Sequence, residues 1–381
     1  MKKKLNKDFF KNYLKIFSYL SILLFLSIGL INFNIDPSKI YSEKYKFIKK
    51  KNLDLKMTLK KLNEEKNGII IKEDIWNERD IVRELATYSN KSECIIFGSS
   101  QVKMISKFGS HRSLKKTCSS ILNLGVNGGV IEDYISLSKQ IKFNKSLPQK
   151  VVIAIHPWTL NFNRDSRWLY YKKDYQLFSN LLYNEINSEK KIDLKKKNSY
   201  FFSLFKNLIS YDYFLESLKM IKIKDKEAFF YVKKKNLKNN FDKEILLFDG
   251  SRIYPKKSQK NNIDINSGNH NYKIIKKIWF DNNAINFLLK YIEYLKEQGI
   301  EPILLMTPYH PDVWKAETEV VVTAMKIIEP KVIEIGKLKK LLVLGSFNPS
   351  KVGCKKNEFH DEMHPNKACA SKFEDVYISY K

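Results

Sequence analysis

Ser100, Asp361 and His364 are the three residues of this 381-residue chain whose types and surroundings could together break or make an ester. A serine hydroxyl is a weak nucleophile until a base within hydrogen-bond reach takes its proton and a third group orients that base. Asp361 and His364 stand three apart and are followed by Pro365, so both side chains can lie on one side of a turn. One loop can thus deliver base and orienting carboxylate together. Ser100 follows Cys94-Ile95-Ile96-Phe97, a compact apolar run that reads as a buried strand, at the junction Gly98-Ser99-Ser100-Gln101. There its hydroxyl would sit near helix-terminal N–H groups, which favour negative charge. The plainer alternative is that Ser99 and Ser100 only cap a helix. His360 is the second choice for the base, and Glu362 is an alternative orienter whose spacing fits less well.

The elements that must position these groups read as an alternation of strands and helices. After the Cys94 strand, Gln101 to Lys107 reads as a short helix, and Ile121-Leu122-Asn123-Leu124 is a second strand ending in Gly125-Val126-Asn127-Gly128-Gly129. Val130 to Phe143 has helical spacing, and Val151 to Ile155 is a third strand ending at His156-Pro157-Trp158. That order is the pattern of a parallel sheet covered on both faces. The stretch from about 163 to 280, rich in Tyr, Phe, Asn and Lys, reads as a large, mainly helical insertion with helix-like patches at 174–186 and 203–222. Within it Asp249-Gly250-Ser251 is an isolated turn. The alternation resumes with helix Ala284 to Gln298, strand Pro302 to Met306, a helical stretch from Val313 to about Lys326 and a last strand Leu341 to Leu344. A terminal helix is expected from about Asn366. In open parallel sheets reactive groups gather at the carboxyl ends of strands. Those ends supply Ser100, Asn127 with Gly128 and Gly129, His156 with Trp158, and His310, while the last loop supplies Asp361 and His364. The glycines after the second strand can bring backbone N–H groups to a developing oxyanion. His156 and His310, each before a proline, either line the same pocket or are hydrogen-bonded structural residues.

The N-terminus carries a different signal. Lys2, Lys3, Lys4, Lys7, Lys11 and Lys15 precede Ile16 to Phe33, which holds no charge. Counted from Tyr13, the apolar stretch is long enough for a membrane-spanning helix of about 20 residues. Lysines before the span and none within it predict a cytoplasmic N-terminus and an external body. A cleaved signal peptide is the competing reading; no small-residue cleavage site follows the run, which favours a retained anchor. Asp36-Pro37-Ser38 breaks the helix, and residues 41–66 read as a lysine-rich surface stalk. The expected organisation is tail and anchor over 1–35, stalk and lead-in helices over 36–90, and an α/β domain over 91–381. The formal net charge of +28 is extreme. The lysines are spread along the chain without an arginine-rich segment, so nucleic acid is not expected as a partner. An external body lets disulfides form. Four cysteines allow three complete pairings; Cys354 with Cys369, which flank the His360–His364 segment, is favoured, and Cys94 with Cys118 is favoured less. Without C-x-x-C or clustered Cys/His spacing, no metal or other cofactor is expected.

These blocks resemble those of the SGNH (GDSL-like) hydrolase superfamily. Gly98-Ser99-Ser100 resembles its nucleophile block, with Ser99 where Asp is more usual. Asn123-Leu124-Gly125-Val126-Asn127-Gly128 is similar to its glycine block, with Gly128 at the oxyanion position, and Asp361-Glu362-Met363-His364 matches its D-x-x-H block. The third block departs: Trp158 stands where the superfamily's Asn would be, and the nearest asparagines are Asn161 and Asn163. The Gly-Ser-Ser block and the Pro-Trp look more like the membrane-anchored branch, which includes the D-alanyl-lipoteichoic acid transfer protein and the alginate O-acetylation accessory proteins. The resemblance implies a three-layer, flavodoxin-like α/β sandwich in a bacterial cytoplasmic-membrane protein with a periplasmic or extracellular body. It also implies acyl transfer to or from a surface polysaccharide or other glycan, beside a membrane-bound O-acyltransferase. The α/β-hydrolase fold expects G-x-S-x-G, and Val102 two residues after Ser100 counts against it.

Two functions follow from different classes. One is a serine esterase or O-acyltransferase in which Ser100 attacks, His364 takes the proton and Asp361 fixes the imidazole. The other is a catalytically inactive anchored binding or accessory protein that holds an acidic glycan or a membrane partner.

Overall fold

The computed structural model describes residues 2–35, 55–71, 77–88, 92–108, 111–142, 147–162, 165–184, 205–206, 208–221, 229–233, 236–237, 242–255, 281–316 and 320–380. The chain divides into two compact units. The smaller takes in residues 1–53, 73–77 and 191–228; the larger takes in 54–72, 78–190 and 229–381.

In the smaller unit, Lys2–Ile35 is one continuous helix. Its segment Phe9–Ile35, 27 residues, is long and apolar enough to cross a membrane. Most of its large side chains are exposed. The helix Tyr211–Ile221 belongs to this unit as well.

The larger unit is a mixed α/β structure built on a mostly parallel sheet. Its strands, with labels in chain order, are β2 (Cys94–Phe97), β3 (Ile121–Asn123), β4 (Lys150–Ile155), β8 (Glu301–Met306), β9 (Leu342–Gly345) and β10 (Tyr377–Ser379), set side by side in the order β10-β9-β8-β4-β2-β3. All pairings are parallel except that of β10 with β9. The registers Cys94↔Ile121 and Cys94↔Lys150 put β2 between β3 and β4. Strands β2 and β3 are buried throughout, as their unbroken apolar runs require of a parallel sheet. From β2 the chain moves one way to β3 and then back across to β4, so the order reverses beside β2. A crevice at the carboxyl ends of strands is expected at such a switch point.

A second, antiparallel sheet joins β1 (Gly68–Ile71), β5 (Phe229–Val232), β6 (Ile245–Leu247) and β7 (Arg252–Ile253) in the order β5-β1-β6-β7. In its described part the stretch from 163 to 280 is more helix than strand, but it is not helical alone. It holds the helix Lys172–Asn184, close to the expected 174–186, and Tyr211–Ile221, but also three strands. Asp249-Gly250-Ser251 is not an isolated turn; it closes the β6–β7 hairpin. That hairpin meets the end of β3, where the Asp249 carbonyl accepts the Asn123 N–H (2.7 Å), and the turn after Ser100, where the Arg252 N–H donates to the Lys103 carbonyl (2.8 Å). Gly250 has φ +78°, and a Cβ there would lie 2.0 Å from the Asn123 carbonyl oxygen, so only glycine permits the approach.

Other expectations are corrected by packing. Residues 55–65 do not form a free surface stalk: the helix Leu55–Glu65 buries Leu59 and Leu62 completely. The part of the expected stalk before residue 55 lies outside the described residues. In place of a helix over 101–107 there is a single 3₁₀ turn, Ser100–Val102. The Asn123 side-chain amide takes the Val102 and Ile105 carbonyls (2.7 and 3.0 Å), which a longer helix would have used internally. The helical stretch expected over 313–326 is two helices, Pro311–Lys315 and Val320–Lys339. The second runs past Pro330 because Val321, Met325, Ile328, Val332 and Ile335 keep burying one side. The terminal helix is only Lys367–Ala370, and the chain returns as β10. Both disulfides, Cys94–Cys118 and Cys354–Cys369, join the hydrophobic cluster that also holds Ile96, Val102 and Phe359.

Candidate active site

At the carboxyl ends of the parallel strands, Ser100 and His364 come together across 264 positions of sequence. Ser100 Oγ lies 2.7 Å from His364 Nε2, and His364 Nδ1 lies 2.8 and 2.7 Å from the two Asp361 oxygens. Nδ1–H therefore donates to the carboxylate, and Nε2 is left to accept from the serine hydroxyl. The D-x-x-H loop is stiff for local reasons. Asp361 Oδ1 also accepts the N–H groups of Met363 and His364, each at 2.9 Å, which folds the loop back on its own carboxylate. Phe359 bridges to Pro365, and the His360 N–H donates to the His364 carbonyl (2.8 Å). Burial works against ionising Asp361. The hydrogen bond and charge of His364, with the two backbone N–H groups, outweigh it and hold the carboxyl below its usual range. Ser100, Asp361 and His364 are each half-buried, so part of each stays accessible from outside.

The nucleophile turn is held from behind. Ser99, fully buried, accepts the Gln101 N–H on its Oγ (3.3 Å) and so caps the turn that begins at Ser100. Ser99 thus does the capping, and the adjacent Ser100 hydroxyl is left to His364. The Ser99 N–H donates to His156 Nε2 (2.9 Å), which fixes the proton of that ring on Nδ1, donated to Gln101 Oε1 (2.5 Å). Thr307 Oγ1 donates to the same Gln101 oxygen at 2.9 Å. Burial, with the charge of His364 beside it, pushes the His156 pKa down to about 3, so the ring stays neutral.

His156 is accordingly not a pocket residue; it is fully buried and anchors the Ser99-Ser100 backbone. His310 is likewise completely buried. Its Nδ1 accepts the Asp312 N–H (3.1 Å) as a helix cap, and its N–H donates to the Glu362 carbonyl (3.0 Å), tying the D-x-x-H loop to the end of β8. Trp158 does not offer its indole N–H to an oxyanion: that N–H donates to the Gly129 carbonyl (3.1 Å), and the ring stacks on His156 at 5.3 Å. Asn161 sits on the turn after β4, its backbone N–H donating to the Trp158 carbonyl (3.2 Å). Asn163 lies outside the described residues. His360 is buried edge-on to Tyr254, its pKa pushed down to about 4 chiefly by burial.

The glycine block packs directly on the nucleophile block. The Val126 N–H donates to the Gly98 carbonyl (3.1 Å), and a Cβ on Gly129 would lie 2.4 Å from that same oxygen. Most neighbouring N–H groups are committed: Ser99 to His156, Gln101 to Ser99, Asn127 to Glu78 and Gly129 to Val126. Those of Ser100 and Gly128 have no acceptor among the described residues. Two uncommitted donors on two touching loops are what a developing oxyanion needs. Gly128 takes φ +60°, and a Cβ there would lie 2.0 Å from Arg167 Nη2. The Asn127 side chain is turned from the triad and accepts from the buried Lys103 ammonium (2.8 Å). Lys103 also pairs closely with Glu78. Burial opposes the Glu78 charge, yet Lys103 and Arg252 hold its pKa at about 2.

Three contributors have no sequence motif. Gln101 sets the His156 tautomer. Arg167, held by Asp165 (2.5 Å), places a half-exposed positive charge beside Gly128. Tyr254, delivered by the end of the β6–β7 hairpin, stands edge-on to His364 at 6.3 Å. Only the Ser-Gln pair at 100–101 was visible as a unit; the other two depend on which distant segments fold back. Among the described residues no group of three or more His, Cys, Asp or Glu is placed to hold a metal ion. No protein-family model matches this chain, and no curated protein matches it.

Proposed function

We propose that the chain is a membrane-anchored serine esterase or O-acyltransferase of SGNH type. The observation that carries this reading is the continuous hydrogen-bonded chain Ser100–His364–Asp361. Ser100 Oγ attacks the carbonyl carbon of an acyl ester as its proton passes to His364 Nε2, and the imidazolium so formed is stabilised by the ionised Asp361. The N–H groups of Ser100 and Gly128 take the negative charge that develops on the carbonyl oxygen. His364 then gives its proton to the departing alkoxide, leaving an acyl group on Ser100. Water or a sugar hydroxyl, deprotonated by His364, removes that group and restores the serine.

In this reading the larger unit is a three-layer α/β sandwich, and 163–280 is an insertion whose hairpin brings Tyr254 to the catalytic histidine. The N-terminal helix is the anchor, lysines facing a bacterial cytoplasm, with the body outside the cytoplasmic membrane. The substrate is an acyl ester of a cell-surface polysaccharide or other glycan, and a membrane-bound O-acyltransferase is the partner that would supply or receive acyl groups. Two disulfides support an oxidising compartment.

The test is Ser100→Ala measured on a simple acetyl ester and on acetylation of the host's surface glycan. Loss of either activity is expected. Unchanged activity in both would return the chain to the class of inactive anchored binding proteins.

A further inference from the structure

The helix Tyr211–Ile221 shares its compact unit with the apolar N-terminal helix, and the two are joined close to the end of the latter. The Asn32 amide donates to the Leu208 carbonyl (2.8 Å) and the Ser210 carbonyl (3.2 Å), and its oxygen accepts the Ser217 hydroxyl (3.2 Å). One turn earlier, a Cβ on Gly29 would touch Leu208 at 3.6 Å. Asn32 and Ser217 are fully buried by this contact, and Tyr213 nearly so. That accounts for one side of the segment.

Several large apolar side chains of the segment stay exposed, beside the charged Lys206 and Asp212. Tyr211 is 64% exposed, Leu215 39%, Phe205 59% and Ile209 41%. Tyr211, Phe214, Leu215 and Leu218 follow helical i, i+3, i+4, i+7 spacing, so they form one stripe, with exposed Asp212 off it. Depth decides what covers this stripe. At about 1.5 Å per residue, the charge-free run Ile16–Ile35 spans roughly the 30 Å of a bilayer's hydrocarbon. Asn32 then falls within the last turn before the far headgroups, and Leu208–Ser210, bonded to it, fall at the same level. Tyrosines with leucine and phenylalanine suit the boundary of headgroup and acyl chain.

We propose that Phe205 and the segment Leu208–Ile221 form a second membrane contact, an interfacial element whose exposed apolar side enters the leaflet from which the N-terminal helix emerges. The proposal rests on that helix being a membrane anchor. Single tryptophans test both. The full chain is reconstituted into phosphatidylglycerol–phosphatidylcholine vesicles whose acyl chains carry bromine either near the glycerol or near the bilayer centre, with wild-type emission subtracted. Leu23→Trp reports the span and Val320→Trp an exposed site on the α/β unit. Tyr211→Trp and Leu215→Trp, both at exposed positions, report the stripe. Quenching of 211 and 215 at least twofold stronger than at 320, and stronger with shallow than with deep bromine, is expected. Emission at 211 and 215 equal to that at 320, beside a quenched 23, overturns the interfacial element and leaves the anchor. An unquenched 23 overturns the anchor and the element together.

Discussion

Ser100→Ala removes the hydroxyl that attacks in the proposed mechanism and, of the fold's hydrogen bonds, only the half-buried one to His364, so ester turnover should fall by roughly 10⁴-fold or more with the thermal midpoint little changed. Asp361→Asn keeps the loop's size but reverses the donor–acceptor match with His364 Nδ1–H; a loss of about 10⁴-fold in kcat is expected, read on the same ester. Gly128→Ala should act on both stability and rate. At φ +60° the new Cβ costs about 1 kcal/mol of backbone strain and pushes on Arg167, so kcat should drop while circular dichroism stays native. His156 sets a pH dependence. Its folded pKa, about 3, lies below the ordinary value of 6.5, so between those limits the unfolded chain binds more protons. The stability it contributes is complete above pH 6.5 and is lost progressively as pH falls toward 3; His360, held at about 4, acts in the same sense. His156→Gln retains an acceptor for the Ser99 N–H without titrating, so its thermal midpoint should fall less steeply between pH 6.5 and 4 than that of the wild type. An equal slope would mean that the ring is not held neutral. The serine, aspartate and histidine were legible in sequence because their types and spacings are local. The role of His156 was not, because a histidine at a strand end looks the same whether its ring faces a pocket or a backbone N–H.

Each half of the triad sits on a segment closed by a disulfide: Cys94–Cys118 encloses Ser100, and Cys354–Cys369 encloses Asp361 and His364. The second bridge spans 15 positions, for which loop closure in the unfolded chain is worth about 3 kcal/mol. Cys354→Ser with Cys369→Ser should lower urea stability by that order and lower ester turnover with it; wild-type stability would show the loop held by its internal hydrogen bonds alone. The β6–β7 hairpin makes a different prediction. Tyr254 meets His364 through its ring, so Tyr254→Phe should keep kcat near wild type while Tyr254→Ala loses about tenfold through a looser imidazole. Strands of the parallel sheet could be read from their apolar runs, since burial on both faces leaves no alternation to misread. The hairpin could not, because Ile245–Leu247 is three residues long and gains its pairing from β1, more than 170 positions earlier. Strand β10 was missed for a related reason. Its alternating exposure from Val376 to Ser379 is the mark of a sheet edge, but the pattern is too short to outweigh the helix signal at Asn366.

For the whole molecule, an anchor of 27 residues should leave the full-length chain in the membrane pellet after alkaline carbonate extraction. Release to the supernatant would mark the helix as a processed signal or a peripheral element. The net charge of +28 is offset near the triad by local ion pairs. Lys103, Arg79 and Arg252 are buried against Glu78, Asp133 and Glu244, and Arg167 is held by Asp165. By itself the amino-acid sequence determined the apolar N-terminal helix, the buried parallel strands and the residue types able to do acyl chemistry. All of these are written in runs and spacings shorter than about 30 residues. Only tertiary structure decided that Ser100 and His364 share a hydrogen bond, that His156 and Trp158 support loops rather than meet substrate, and that a distant hairpin reaches the site. Those outcomes depend on which strand lies beside which, and strand order is selected by the burial of the assembled sheet rather than by any segment alone.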